Sequence, residues 1–95
     1  MKCVMDKVAK HIVFIGRVQG VGFRFTAHSV ASRYGITGFV RNCFDGTVEM
    51  LAQGIAEDID ECIVDIKESL GGCVRETRVE EVPVDPRYKE FKITF

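Results

Sequence analysis

HIVFIGRVQGVGFRFTAHSVASRYG, residues 11–35, changes character twice, and those two changes set the reading of the whole chain. Its first part, His11 to Val18, is dense in β-branched and aromatic residues: Ile12, Val13, Phe14, Ile15 and Val18. Apolar residues at consecutive positions predict a central strand, covered on both sides. Gly16, Gly20 and Gly22 then interrupt it, so the strand passes into a loop. From Phe23 the period becomes helical. Phe23, Ala27, Val30, Ala31 and Tyr34 fall at i, i+4, i+7, i+8 and i+11, one face of a helix. Gly35 stands where a helix is commonly closed by a residue in the left-handed conformation.

Working outward, residues 1–8 form a short mixed leader without a pattern of its own, and the domain proper is expected over 9–95. Downstream, Ile36 to Asn42 reads as a second strand. Asp45-Gly46 reads as a hairpin turn in which both positions reach positive φ. Thr47 to Gln53 is the return strand, which Gly54 is expected to end. A second helix is predicted from about Ala56 to Leu70, with Ile59, Cys62, Ile63, Ile66 and Leu70 as its apolar stripe. Glu57, Asp58, Asp60 and Glu61 load its first turns in the sense that suits the helix dipole, and Gly71-Gly72 ends it. Val74 to Val82 is a fourth strand, Pro83 and Pro86 bracket a loop, and Phe91, Ile93 and Phe95 alternate as a short last strand. The order βαββαβ, with a C-terminal strand added, is solved by one antiparallel sheet carrying both helices on one face. That is the α+β, ferredoxin-like sandwich.

Composition narrows the function. A chain of 95 residues suits one compact domain. Its 46% hydrophobic and 28% charged residues are ordinary for a globular protein. No apolar run approaches the roughly 20 residues of a membrane helix, and Met1 to Lys10 lacks the apolar core of a secretory signal. A cytoplasmic location without membrane attachment is therefore expected. With 13 basic against 14 acidic residues and a net charge of −1, the basic surplus of a nucleic-acid partner is missing. Cys3, Cys43, Cys62 and Cys73 form no C-x-x-C pair, and His11 and His28 lie at no ligand spacing, so neither a metal nor another cofactor is expected. Pairing of Cys3 stays open.

The loop Gly16-Arg17-Val18-Gln19-Gly20-Val21-Gly22, followed by Phe23 and Arg24, carries the chemistry. Glycines let backbone N–H groups turn inward and approach a ligand closely. The helix that follows adds its own free N–H groups and positive end. Arg24, in the first turn, offers a planar fork to phosphate oxygens. This makes an anion cradle, though the same residues also fit a plain tight turn with a solvated arginine. Asn42 is the second element: it fits a cap before the turn, and its neutral amide can also hold a water by donating and accepting. The cradle contains no nucleophilic cysteine, no basic histidine and no carboxylate trio. Such a site cannot readily protonate an alkoxide, but it can release a carboxylate, whose acid has a pKa near ~4 and leaves unaided. An acyl phosphate is that kind of substrate.

GRVQGVGFR (16–24) and GFVRNCFDGTVE (38–49) resemble the two signature stretches of the acylphosphatase family, and the order of elements is similar from about residue 10 to 95. The resemblance implies hydrolysis of acyl phosphates to a carboxylate and inorganic phosphate, the latter also a competitive inhibitor, by a monomer needing no metal. It implies that Arg24 and the backbone amides of Gln19, Gly20, Val21, Gly22 and Phe23 bind the phosphoryl group, and that Asn42 positions the attacking water. The departures are Phe39, where members often carry tryptophan, and Phe95, where they often end in tyrosine. His28, one turn beyond Arg24, reads as a helix-surface residue. Arg17 and Arg41 read as solvated. Two other readings remain: a non-catalytic module that binds phosphate or acyl phosphate, and an RNA-binding domain of the same fold, to which Gly38-Phe39-Val40 bears a partial likeness.

Overall fold

The computed structural model describes residues 7–20 and 22–94. Five strands, two helices and a short 3₁₀ turn follow in the order β1 (Lys7–Gly16), α1 (Phe23–Arg33), β2 (Thr37–Asn42), β3 (Val48–Ile55), α2 (Ala56–Ser69), the turn Gly71–Cys73, β4 (Val74–Val82) and β5 (Phe91–Ile93). The sheet runs β4-β1-β3-β2-β5. Its first four strands are antiparallel neighbours, whereas β5 joins the far edge parallel to β2, so the whole sheet is mixed. The chain reaches that edge from β4 at the opposite side, and it arrives running the same way as β2.

Strand periodicity decides which face meets the helices. Ile12 and Phe14 of β1, Val40 of β2, and Val48, Met50 and Ala52 of β3 are buried against Phe23, Ala27, Val30 and Ala31 of α1 and Ile59, Cys62, Ile63 and Ile66 of α2. Phe14 and Phe23 meet with ring centroids 4.8 Å apart. Truncating a wholly buried member such as Ile59 to alanine costs about 2–5 kcal/mol, transfer and cavity together. The opposite face of β1 is only half-covered at His11, Val13 and Ile15, so this strand is central in pairing but not enclosed on both faces. Near Ala9 the loop 83–90 closes over that face. There buried Gln53 accepts from the Asp85 N–H at 2.6 Å and donates to its carbonyl at 3.0 Å.

Several boundaries move for reasons of pairing. Lys7 and Val8, assigned to the leader, lie in β1 opposite Ile55 and Gly54. Gly54 does not end β3, because β1 supplies a partner for its backbone there. The last-strand assignment of Phe95, and the rest of the leader, lie outside the described residues. Edge strand β4 is largely exposed and carries Arg75, Glu76, Arg78, Glu80 and Glu81, charges that discourage pairing with another chain. The hairpin between β2 and β3 also differs from expectation. Gly46 alone has positive φ (90°), Asp45 does not, and the Gly46 N–H donates to the Cys43 carbonyl at 3.2 Å. This is a β-turn over Cys43–Gly46 with a glycine bulge, the three-residue type of hairpin loop. Asp45 serves it with its side chain, accepting from the Thr47 hydroxyl at 2.6 Å and the Thr47 N–H at 3.0 Å. Those two bonds, the hydroxyl's first, hold its carboxyl below the ordinary range.

Candidate active site

The loop after β1 delivers the chain to the head of α1. Gly20 and Gly22 have φ of 80° and 77°, the left-handed region that side-chained residues rarely enter, and space around both is open. Here the conformation, not crowding, requires glycine. Gly22 is the N-cap of α1 and offers no side chain to its N–H groups; the first helical bond runs from the Thr26 N–H to the Gly22 carbonyl at 3.1 Å. No acidic residue stands in the first turn. The positive end of the helix is thus left to an incoming anion.

A cavity of about 110 Å³ opens at this point, lined by Val18, Gly20, Gly22, Phe23, Arg24, Phe25 and Asn42. Arg24 comes from the first turn of α1, and its Nη1 donates to the Thr94 carbonyl at 3.1 Å, so the segment after β5 helps hold the guanidinium at the cavity. Asn42 comes from β2. It continues the even-numbered row of Gly38 and Val40 on the helix-facing side, one step past the point where α1 covers that row. Strand alternation therefore turns Asn42 toward the head of the helix and sends Arg41 and Cys43 to the other face.

Of the sequence-predicted site residues, Gly20, Gly22, Phe23, Arg24 and Asn42 come together in this cavity. Val21 lies outside the described residues. Gln19 does not line the cavity. Its side-chain nitrogen donates to the carbonyls of Cys43 at 2.7 Å and Thr47 at 2.9 Å, clasping the β2–β3 hairpin to the loop. Sequence reasoning considered only its backbone, because nothing local to Gln19 reveals a partner 24 residues away. Arg41 pairs with Glu49 across β2 and β3, and Glu49 also meets His11 Nε2 at 2.6 Å. Burial pushes the Glu49 carboxyl up, but its bonds to His11 and Arg41 outweigh that and leave it lowered. His28 packs beside Phe91, ring centroids 6.1 Å apart, and does not line the cavity. A wider hollow of about 460 Å³ flanks β5, between Phe39, Tyr88 and Lys92. None of the cradle residues lines it, and it has no helix N-terminus, so size alone does not make it the site of phosphate chemistry. Among the described residues no three His, Cys, Asp or Glu side chains gather as a metal-binding group, and no helix is long and apolar enough to cross a membrane.

Fold and cavity together define a ferredoxin-like α+β protein with an anion-sized hollow at a helix head. The acylphosphatase family model matches residues 10–93. An acylphosphatase of Clostridium acetobutylicum is 39% identical over 85 residues, covering 88% of this chain and 93% of its own. Another, from Caldanaerobacter subterraneus subsp. tengcongensis, is 40% identical over 89 residues, 92% and 98% of the two chains. The crystal structure of acylphosphatase from Bacillus subtilis superposes with a TM-score of 0.86 at 30% identity, covering 93% of this chain and 99% of that one. The chain belongs to the acylphosphatase family, and it is an enzyme of that family. The same fold also occurs inside a longer protein: full-length HypF, in a phosphate- and nucleotide-bound form, matches all of this chain with 13% of its own length, at 32% identity and a TM-score of 0.84.

Proposed function

We propose that this chain hydrolyses the carboxyl–phosphate bond of acyl phosphates, by in-line attack of water and without a metal ion. The observation that carries the reading is the meeting of Arg24 and Asn42, from α1 and β2, in one cavity with Gly20 and Gly22 at the head of α1. On this reading Arg24 and the amides of Gly20, Gly22 and Phe23 grip the phosphoryl oxygens, and Asn42 holds the water. The water oxygen bonds to phosphorus as the bond from phosphorus to the bridging oxygen breaks. The carboxylate leaves with the electron pair, and the water's proton passes to a phosphoryl oxygen. Catalysis is then positioning and stabilisation of charge by groups fixed beforehand. A carboxylate leaving group needs no general acid, which agrees with a cavity lining of glycine, valine, phenylalanine, arginine and asparagine.

The substrate is a small acyl phosphate, and inorganic phosphate competes for the same cradle. A monomer is part of this reading, since both helices bury their apolar stripes within the chain. So is a reducing, cytoplasmic setting, which the free thiols Cys43, Cys62 and Cys73 suit. The test is hydrolysis of benzoyl phosphate and acetyl phosphate with and without EDTA. Turnover is expected in both conditions. Activity that vanished in EDTA and returned with Mg²⁺ or Zn²⁺ would overturn the metal-free mechanism. Phosphate binding without turnover would point instead to a binding module.

A further inference from the structure

The wider hollow beside β5 has a lining that the hydrolytic mechanism leaves unused. Its volume, about 460 Å³, lies in the range of small-molecule sites, roughly 300–1,000 Å³. Phe39 of β2 and Tyr88 of the loop 83–90 form its aromatic wall, with ring centroids 5.9 Å apart and planes inclined by 44°. Both rings are half-buried, so packing holds them while part of each stays open. Arg87, Lys89 and Lys92 supply three cations at the rim, against the carboxylate of Glu90. Asp85 holds the Arg87 fork at 2.8 Å, and Lys92 stands 3.9 Å from Glu90. Among the described residues Lys89 pairs with no carboxylate. With Asp85 included, three cations still face two carboxylates, a local positive surplus in a chain of net charge −1. Thr94 lines the hollow, and its carbonyl accepts from Arg24 Nη1, so hollow and cradle are neighbours with separate linings.

We propose that this hollow is a second binding site and that its ligand is a free mononucleotide, its base against Phe39 and Tyr88 and its phosphate on Lys89 and Lys92. Rings alone would take any flat apolar molecule, and cations alone any anion. The two together select a ligand that carries both. Stacking on an aromatic side chain tolerates any base, because every base has a π-face. The exposed lysines add less, and salt screens them. The ligand is a single nucleotide rather than a strand of nucleic acid. A strand would continue over the open face of the sheet. There Glu49, Glu76 and Glu80 stand against Lys7, Arg41 and Arg78, which leaves no positive surplus to follow a phosphate backbone.

The test is calorimetric titration of the full chain with AMP at low salt, beside adenosine and ribose 5-phosphate. AMP should bind about fivefold or more tightly than either fragment. Tyr88→Ser should weaken AMP by about fivefold or more, the loss of one stacking contact. Phe39→Leu provides a second way to remove a ring, and thermal melts confirm that each variant is folded. Changing Lys89 and Lys92 together to Gln should weaken AMP by about fivefold and leave adenosine unaffected. Arg24→Ala should leave AMP binding as it is, because Arg24 does not line the hollow. No binding of AMP, or binding lost in Arg24→Ala and kept in both folded ring variants, overturns the second site. Equal affinity for AMP and adenosine overturns the role of the lysines. An oligoadenylate bound more tightly than AMP overturns the free nucleotide as ligand. None of these outcomes depends on whether the chain hydrolyses acyl phosphates.

Discussion

Arg24 and Asn42 reach the cavity from different elements and with different chemistry, so their substitutions should separate. The guanidinium is held at the head of α1 by the Thr94 carbonyl, and on the proposed mechanism its charge acts there on a phosphoryl group before and during reaction. Arg24→Ala should therefore lower turnover by about 10²-fold or more and also weaken competitive inhibition by phosphate. Lysine should restore little, because a point charge does not reproduce a planar fork. Asn42 is neutral and, on the proposed mechanism, touches only the water. Asn42→Ala should cut turnover by about 10²-fold while phosphate inhibition stays nearly constant. Steady-state rates and phosphate inhibition constants on both variants decide the matter. An equal loss of phosphate binding in both would place Asn42 in the cradle instead. In the sequence both residues stood out through the stretches GRVQGVGFR and GFVRNCFDGTVE, which resemble the acylphosphatase signatures; by itself Asn42 fitted a cap before the turn equally well. The Thr94 contact was not legible there, since it joins residues 70 apart.

At the level of elements, the loop after β1 and the β2–β3 hairpin carry the two halves of the site, and the Gln19 side chain ties one to the other. One amide nitrogen donates to two carbonyls, Cys43 and Thr47, on either side of the turn. Gln19→Met keeps the length and removes the donors. It should lower stability by about 1 kcal/mol, as for loss of a partly exposed hydrogen-bonding group, a fall in Tm of about 4–8 °C. Because the distance between cradle and Asn42 is then less firmly set, kcat should fall about tenfold well below the melting temperature. Gln19→Glu should be worse, setting an acceptor against two carbonyls. Melting curves and kinetics at 25 °C test this; an unchanged kcat beside a lowered Tm would reduce the clasp to a stabilising role. The hairpin itself was legible as a turn at Asp45-Gly46. Its type was not, because one extra residue in the loop lets Gly46 alone take the positive φ while Asp45 acts through its side chain.

Across the whole molecule, the titrating groups bound stability on both sides of neutrality. Asp85 is drawn down to about 2 by hydrogen bonds from the Arg87 side chain and backbone, and Asp45 and Glu49 are also lowered. A lowered carboxyl contributes stability that is fully present above its ordinary value, near ~4, and is lost as pH falls through the folded value. On the alkaline side the Tyr34 hydroxyl, 2.5 Å from Asp65 Oδ2, is pushed from 10.0 up to about 12, first by that hydrogen bond. Burial pushes the Cys62 thiol from 9.0 up to about 12. Both are held protonated in the fold, so their contributions are present below the ordinary values and are lost as pH rises from about 9 toward 12. Urea midpoints should therefore form a plateau near neutrality, fall below about pH 4 and fall again above about pH 9. Tyr34→Phe should flatten the alkaline limb. Midpoints that stayed constant from pH 8 to 11 would contradict this account.

The sequence by itself determined the order of elements, the apolar stripes of α1 and α2, and the glycine loop that ends at the head of α1. These are local matters: period, turn chemistry and backbone freedom are written in neighbouring residues. Tertiary structure decided the rest. Whether Gly54 ends a strand or continues one depends on β1 lying beside it, and the parallel course of β5 depends on where the chain returns after β4. Gln19 clasps the hairpin only because folding brings the loop after β1 and the β2–β3 hairpin to the same end of the sheet. Such contacts join residues far apart along the chain, and no spacing within a segment encodes them.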